Sequence, residues 1–122
     1  MERNLKYEYR TTVQKAIQDK DIGNKPYFGR WLSGFIEAEG CFCIRQSSIS
    51  FSIGQKYDLY LLETIKFYLG AHNKIQQKRY DFFLLEVYRQ SVLKFLKSHF
   101  ENNPLLGEKK LQYCFFVQKI KL

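Results

Sequence analysis

The run Trp31-Leu32-Ser33-Gly34-Phe35-Ile36-Glu37-Ala38-Glu39-Gly40 constrains the fold of this 122-residue chain more than any other stretch. Leu32, Phe35 and Ile36 recur at helical spacing, while Gly34 and Ala38 stand one turn apart on another face. Small residues so placed let a second helix approach closely. The run then breaks a local rule. Its carboxylates, Glu37 and Glu39, fall at a helix C-terminus, where the partial negative charge disfavours them by a few tenths to about 1 kcal/mol. Gly40 follows, the usual residue of a left-handed helix cap. Broken local rules concentrate at functional sites. Carboxylates beside helix-end carbonyls make a hard, oxygen-rich place suited to Mg²⁺ or Ca²⁺. A buried helix whose end is merely acidic and solvated is the plainer reading of the same residues.

The pattern is more specific than that physics. From Leu32 to Gly40 the chain resembles, position by position, the nine-residue signature of the LAGLIDADG homing endonucleases. Leu32, Gly34, Ile36, Ala38 and Gly40 stand as in the signature, and Ser33, Phe35, Glu37 and Glu39 are common or chemically matched variants. The resemblance runs from about Phe28 to the C-terminus.

Composition agrees with such a relationship without requiring it. Twenty basic residues against twelve acidic ones give a net charge of +8, which favours a polyanionic partner but does not separate DNA from RNA or an anionic membrane surface. A hydrophobic content of 45% excludes wholesale disorder. No apolar run reaches the length of a membrane span, and Met1 to Glu8 lacks the apolar core of a secretory signal, so neither a membrane nor secretion is expected. Three cysteines are too few and too scattered for a disulfide framework. Cys41 and Cys43 share a strand face and Cys114 lies in a helix, so all three read as structural thiols of a reducing compartment.

In chain order, residues 1–27 read as an extension or linker, with a short helical possibility over Thr12–Ile17 and a break at Gly23-Asn24-Lys25-Pro26. A single domain is expected over 28–122. After the motif helix, Cys41–Gln46 and Ile49–Lys56 alternate as an antiparallel hairpin, with Phe42, Ile44, Ile49, Phe51 and Ile53 facing the core. The other face carries Cys41, Cys43, Arg45 and Ser47, then Ser50, Ser52, Gly54 and Lys56, a small, polar, basic surface suited to nucleic acid or simply to solvent. Asp58 can cap a helix through Leu61, Leu62, Ile65 and Leu69 that Gly70 stops. A second hairpin turns near Tyr80-Asp81. Ser91 can cap a helix with Val92, Phe95, Leu96 and Phe100 along one stripe, and Glu108 to about Ile120 can form the last. The expected class is α+β, a four-stranded antiparallel sheet with helices on one face. The resemblance names it the αββαββα fold with a saddle-shaped sheet.

The resemblance further implies a metal-dependent endonuclease that hydrolyses both strands of a long double-stranded DNA site, with the motif helix as a dimer or pseudo-dimer axis. Leu32, Gly34, Phe35 and Ala38 would line that interface. Glu39 matches the metal-binding acid and Ala38 the position whose carbonyl joins it. Glu37 takes a structural or electrostatic part. Gln55 looks like the residue that orders active-site water, and Lys109, with Lys110 as the alternative, like the cation near the scissile phosphate. Mg²⁺ is the implied cofactor, with Ca²⁺ binding without cleavage. Arg45, Ser47, Ser50, Ser52, Lys56, Gln76 and Lys78 would reach base edges, and Lys74 and Arg79 phosphates. His72 and His99, unpartnered in sequence, are not assigned chemistry. The partner is a second copy or a second half, an intron RNA for a maturase, and an organelle is the family's common home. A non-cleaving maturase or DNA-binding regulator on the same scaffold is the alternative.

Overall fold

The computed structural model describes residues 26–46 and 48–120. The helical possibility at Thr12–Ile17, most of the extension and Ser47, expected to reach a base edge, lie outside them. The described chain runs α1 (Phe28–Glu39), β1 (Gly40–Ile44), β2 (Ile49–Lys56), α2 (Leu59–Leu69), β3 (Gln76–Arg79), β4 (Phe82–Val87), α3 (Gln90–Asn102) and α4 (Lys109–Val117). The strands form one antiparallel sheet in the order β1-β2-β4-β3. This is the α+β arrangement expected from the alternating and helical periodicities.

Strand alternation decides which side chains meet the helices. Phe42, Ile49, Phe51, Ile53, Leu85 and Val87 are buried, with Phe42 packing on Phe100, Tyr113 and Phe116 from α3 and α4. Each fully buried apolar side chain contributes about 1.5–3 kcal/mol of transfer free energy. Ile44 departs from its expected place in the core. It is 45% exposed, because it ends β1 at the hairpin turn, past the aromatic cover that Phe42 receives.

Three helix ends also differ from expectation. Gly40 is not left-handed but extended (φ −80°, ψ 161°) and opens β1 directly. Its glycine is required by space: a Cβ there would lie 2.8 Å from the Ile36 side chain and 2.9 Å from the Ile36 carbonyl oxygen. Asp58 precedes α2 without a side-chain cap; its carbonyl accepts the Leu61 and Leu62 N–H groups. Ser91 lies inside α3, whose first amides bond the Arg89 carbonyl. Gly70 does end α2 in the left-handed conformation (φ 70°).

The motif helix is held by more than apolar contact. Ser33, buried on α1, donates its hydroxyl proton to the Asn103 carbonyl at 2.6 Å, so its oxygen must accept from His99 Nε2–H at 3.0 Å. His99 Nδ1 then accepts from the Tyr68 hydroxyl at 2.8 Å. Asn103 Nδ2 closes the chain on the His99 carbonyl. One satisfied polar path thus joins α1, α2 and α3. Burial lowers the His99 pKa from 6.5 to about 4 and raises that of Tyr68.

Two outcomes follow. Gly40→Ala should lower stability by about 1–3 kcal/mol in urea unfolding, because its Cβ meets a backbone carbonyl that cannot retreat. For His99, the unfolded chain takes up a proton near pH 6.5 and the folded one only near 4. Stability should therefore be fully present above about pH 6.5 and fall through that window on acidification, by up to about 3 kcal/mol. Melting temperatures across this range should show a shallower slope in His99→Gln.

Candidate endonuclease site and sheet interface

α1 buries one side and leaves another bare. Phe28, Leu32, Ser33 and Ile36 face the core, whereas Tyr27 is 58% exposed, Trp31 38%, and Gly34 and Ala38 are exposed beside them. Trp31 stacks on half-buried Phe35 with ring centres 5.3 Å apart. Nothing lies within 4 Å of a Cβ built on Gly34. Leu32 must be removed from the expected interface: at 0% exposure it points into the core, about 200° round the helix from Gly34. Tyr27 and Trp31 take its place on the bare side, a pair the sequence reading missed. Their helical spacing with Gly34 and Ala38 was the available signal.

At the C-terminal end of α1 the two glutamates part company. Glu37 Oε1 accepts the Gly107 N–H at 2.7 Å, and Lys109 Nζ donates to the Glu37 carbonyl at 3.0 Å. Together these bonds pin the start of α4 onto the last turn of α1. The ammonium also offsets the helix-end charge that the acids worsen. Glu39 is exposed and makes no hydrogen bond or ion pair among the described residues. Lys109 is therefore brought to the acidic end, while the exposed Lys110 side chain makes no such bond there.

Gln55 follows the last β1–β2 ladder pair, Gly40↔Ile53, by two residues. Its Nε2 donates to Asp58 Oδ2 at 3.3 Å, and its Oε1 is buried without a partner. No hydrogen bond joins it to Glu39 among the described residues.

The outer face of the sheet is set by register. Cys41 pairs with Ser52 and Cys43 with Ser50; Ser52, Gly54 and Lys56 then pair with Glu86, Leu84 and Phe82, and Gln76 with Leu84. Arg45, Lys74, Gln76, Lys78 and Arg79 are exposed, with a bulge between Gln77 and Arg79. Ser50 is half-buried and Ser52 nearly covered, at 9% exposure. Lys56 pairs with Asp81 at 3.5 Å. Burial, then the Cys43 thiol, push the Cys41 thiol up from its ordinary value, with Lys109 and Ser52 pulling partly back. Lys109 thus also lies within electrostatic reach of β1.

A groove of about 430 Å³ between α1 and the Asn102–Leu106 loop reaches Arg30, Gly34 and Glu37. A larger one, about 890 Å³ between α2 and β3, contains none of the acidic-end residues.

A family model described as LAGLIDADG endonuclease matches residues 32–120. The chain belongs to the LAGLIDADG endonuclease family. It is 47% identical over 113 residues to a probable intron-encoded endonuclease aI3 of Dictyostelium citrinum, covering 92% of this chain and 45% of that protein. A protein of the same name from Debaryomyces hansenii is 48% identical over 98 residues, 80% of this chain and 14% of its own length. The fold superposes on the LAGLIDADG meganuclease I-CpaMI bound to uncleaved DNA with a TM-score of 0.67 and 30% identity, over 74% of this chain and 36% of that one. The LAGLIDADG chain described here therefore spans less than half the length of these relatives.

If Glu37 is an anchor, Glu37→Ala should destabilise the fold by about 1–3 kcal/mol, since the Gly107 amide loses a charged acceptor. Thermal unfolding beside Glu39→Ala, expected to be near neutral, separates the two acids.

Proposed function

We propose that this chain is one half of a site-specific DNA endonuclease. It pairs through the bare side of α1 with a second copy, or with a second half of the same fold, and cuts both strands of a duplex lying along the outer face of the sheet. The observation that carries this reading is the junction of α1 and β1. A helix gripped from behind presents small and aromatic residues on its free side and ends in an unpartnered carboxylate, Glu39, two residues past the carbonyl that Lys109 holds.

The donor set fits a hard divalent cation only in a paired arrangement. No group of three or more His, Cys, Asp or Glu side chains that would hold a metal occurs among the described residues. One chain offers Glu39 and, beside it, the Ala38 carbonyl; two such ends brought together double the oxygen ligands. Mg²⁺ held there would supply positive charge at the scissile phosphate and a water of lowered pKa. Ca²⁺ would occupy the same oxygens without supporting cleavage.

The chain's own residues do the rest. Lys109, its ammonium fixed at the helix end, stabilises charge on the phosphate. Gln55 keeps an acceptor, Oε1, for an ordered water. Arg45, Lys74, Lys78 and Arg79 contribute phosphate affinity that falls with salt. Gln76 and the residues of β2 face base edges. The relatives' intron-encoded naming supports an organellar setting. A non-cleaving nucleic-acid-binding role, as a maturase or regulator, would use the same sheet face and helix and differs in not requiring Glu39.

Cleavage of a randomised duplex library with Mg²⁺ tests the reading. The expected result is cutting at a recurrent sequence, reduced about a hundredfold or more in Glu39→Gln while duplex retention persists. Retention without cutting by either protein selects the non-cleaving role for this chain alone. Sedimentation should give a dimer; a lasting monomer replaces self-pairing by a different second half.

A further inference from the structure

Among the described residues Tyr57, between β2 and α2, is the one non-glycine residue at positive φ, 71°. The Asp58 N–H bonds the Lys56 carbonyl at 2.9 Å across it, closing a three-residue γ-turn in its rare, strained form. A second such turn, of the opposite sign, follows over Asp58 (φ −94°, ψ 62°), where the Leu59 N–H bonds the Tyr57 carbonyl at 3.0 Å. A glycine would take φ 71° without steric cost. Nor does the core require the ring, which is 51% exposed. A bulky side chain kept in such a conformation points to a use outside the fold.

The neighbours of Tyr57 indicate that use. Lys56 Nζ stands 5.2 Å from the centre of the Tyr57 ring, within reach of a cation–π interaction, and 3.5 Å from Asp81 Oδ2. The Asp81 carbonyl accepts the Tyr57 N–H at 2.7 Å, so the β3–β4 turn also fixes the backbone that carries the ring. Lys56 follows Ser52 and Gly54 on the outer face of β2, past the last β1–β2 pair, Gly40↔Ile53. Lys56 and Tyr57 therefore form a rim at the end of the sheet where α1 enters it.

We propose that Tyr57 is a positioning residue, whose strained backbone holds its ring against Lys56 so that the ammonium is presented to a phosphate of duplex DNA on the outer face. This rests on the endonuclease reading and gives Lys56 a phosphate rather than a base edge. An ammonium acts on a phosphate as a point charge. An exposed ion pair contributes little, so a phosphate can take the place of the Asp81 carboxylate while the ring stays by the ammonium. A lysine stem held beforehand also gives up less rotamer freedom when the duplex arrives.

The test sets melting midpoints beside retention of a short mixed-sequence duplex across a salt series. Tyr57→Gly should raise the midpoint by about 2–5 °C as the strain is released. It should nevertheless weaken retention about tenfold at physiological salt and lower the salt slope by about one, as Lys56→Ala does. The double variant Lys56→Ala/Tyr57→Gly should lose no more than Lys56→Ala, since both changes act through one ammonium. Tyr57→Phe, which keeps the ring, should restore retention and slope. A lowered midpoint in Tyr57→Gly overturns the proposal, because the ring then serves the fold. So does native retention and slope in that variant, or a loss in Lys56→Ala that varies with duplex sequence at an unchanged slope. A native chain that retains no duplex overturns the endonuclease reading itself, and this contact with it.

Discussion

The grip on α1 from behind is the constraint on which the other features depend. Phe28, Leu32 and Ile36 seat it in the core, and Ser33 enters a hydrogen-bond chain through His99 to Tyr68. Those polar atoms are costly to bury unless all are satisfied, and here each donor finds its acceptor. A helix held so firmly on one side can leave Tyr27, Trp31, Gly34 and Ala38 in solvent on the other. Exposed aromatic side chains beside two small residues leave this side of the helix open to solvent.

The same grip accounts for the acidic end. Carboxylates at a helix C-terminus are unfavourable in isolation, yet Glu37 is turned to use as an acceptor for the Gly107 amide, and Lys109 opposes the local charge through the Glu37 carbonyl. Of the two acids only Glu39 is left without a partner among the described residues. The arrangement thus spends one acid on the fold and leaves the next one bare.

The relatives are longer than this chain. Relatives that share about half of this chain's residues extend well beyond it, and the superposed meganuclease has nearly three times its matched length. The Dictyostelium citrinum match also takes in 113 residues, more than lie between Phe28 and the C-terminus. The stretch before α1 therefore shares sequence with a relative named a probable intron-encoded endonuclease.

The motif run, the strand alternation and the stop at Gly70 made the element order, the α+β class and the family legible in the residues alone, because short-range spacing decides which side of an element is apolar. The separate fates of Glu37 and Glu39 were half legible: the rule they break was visible, but the amide that captures Glu37 lies seventy residues away. Ile44 was misplaced because periodicity says which residues share a face, not how far the covering elements extend; Leu32 was put at the interface by the resemblance, although its spacing already set it on the apolar side that the core buries. The Ser33–His99–Tyr68 chain and the extended Gly40 carried no local signal at all. By itself, then, the sequence determined the elements and put two carboxylates at the end of α1. Only the tertiary structure decided which of those groups were consumed in holding the fold and which remained free to act, since that depends on contacts between residues distant along the chain.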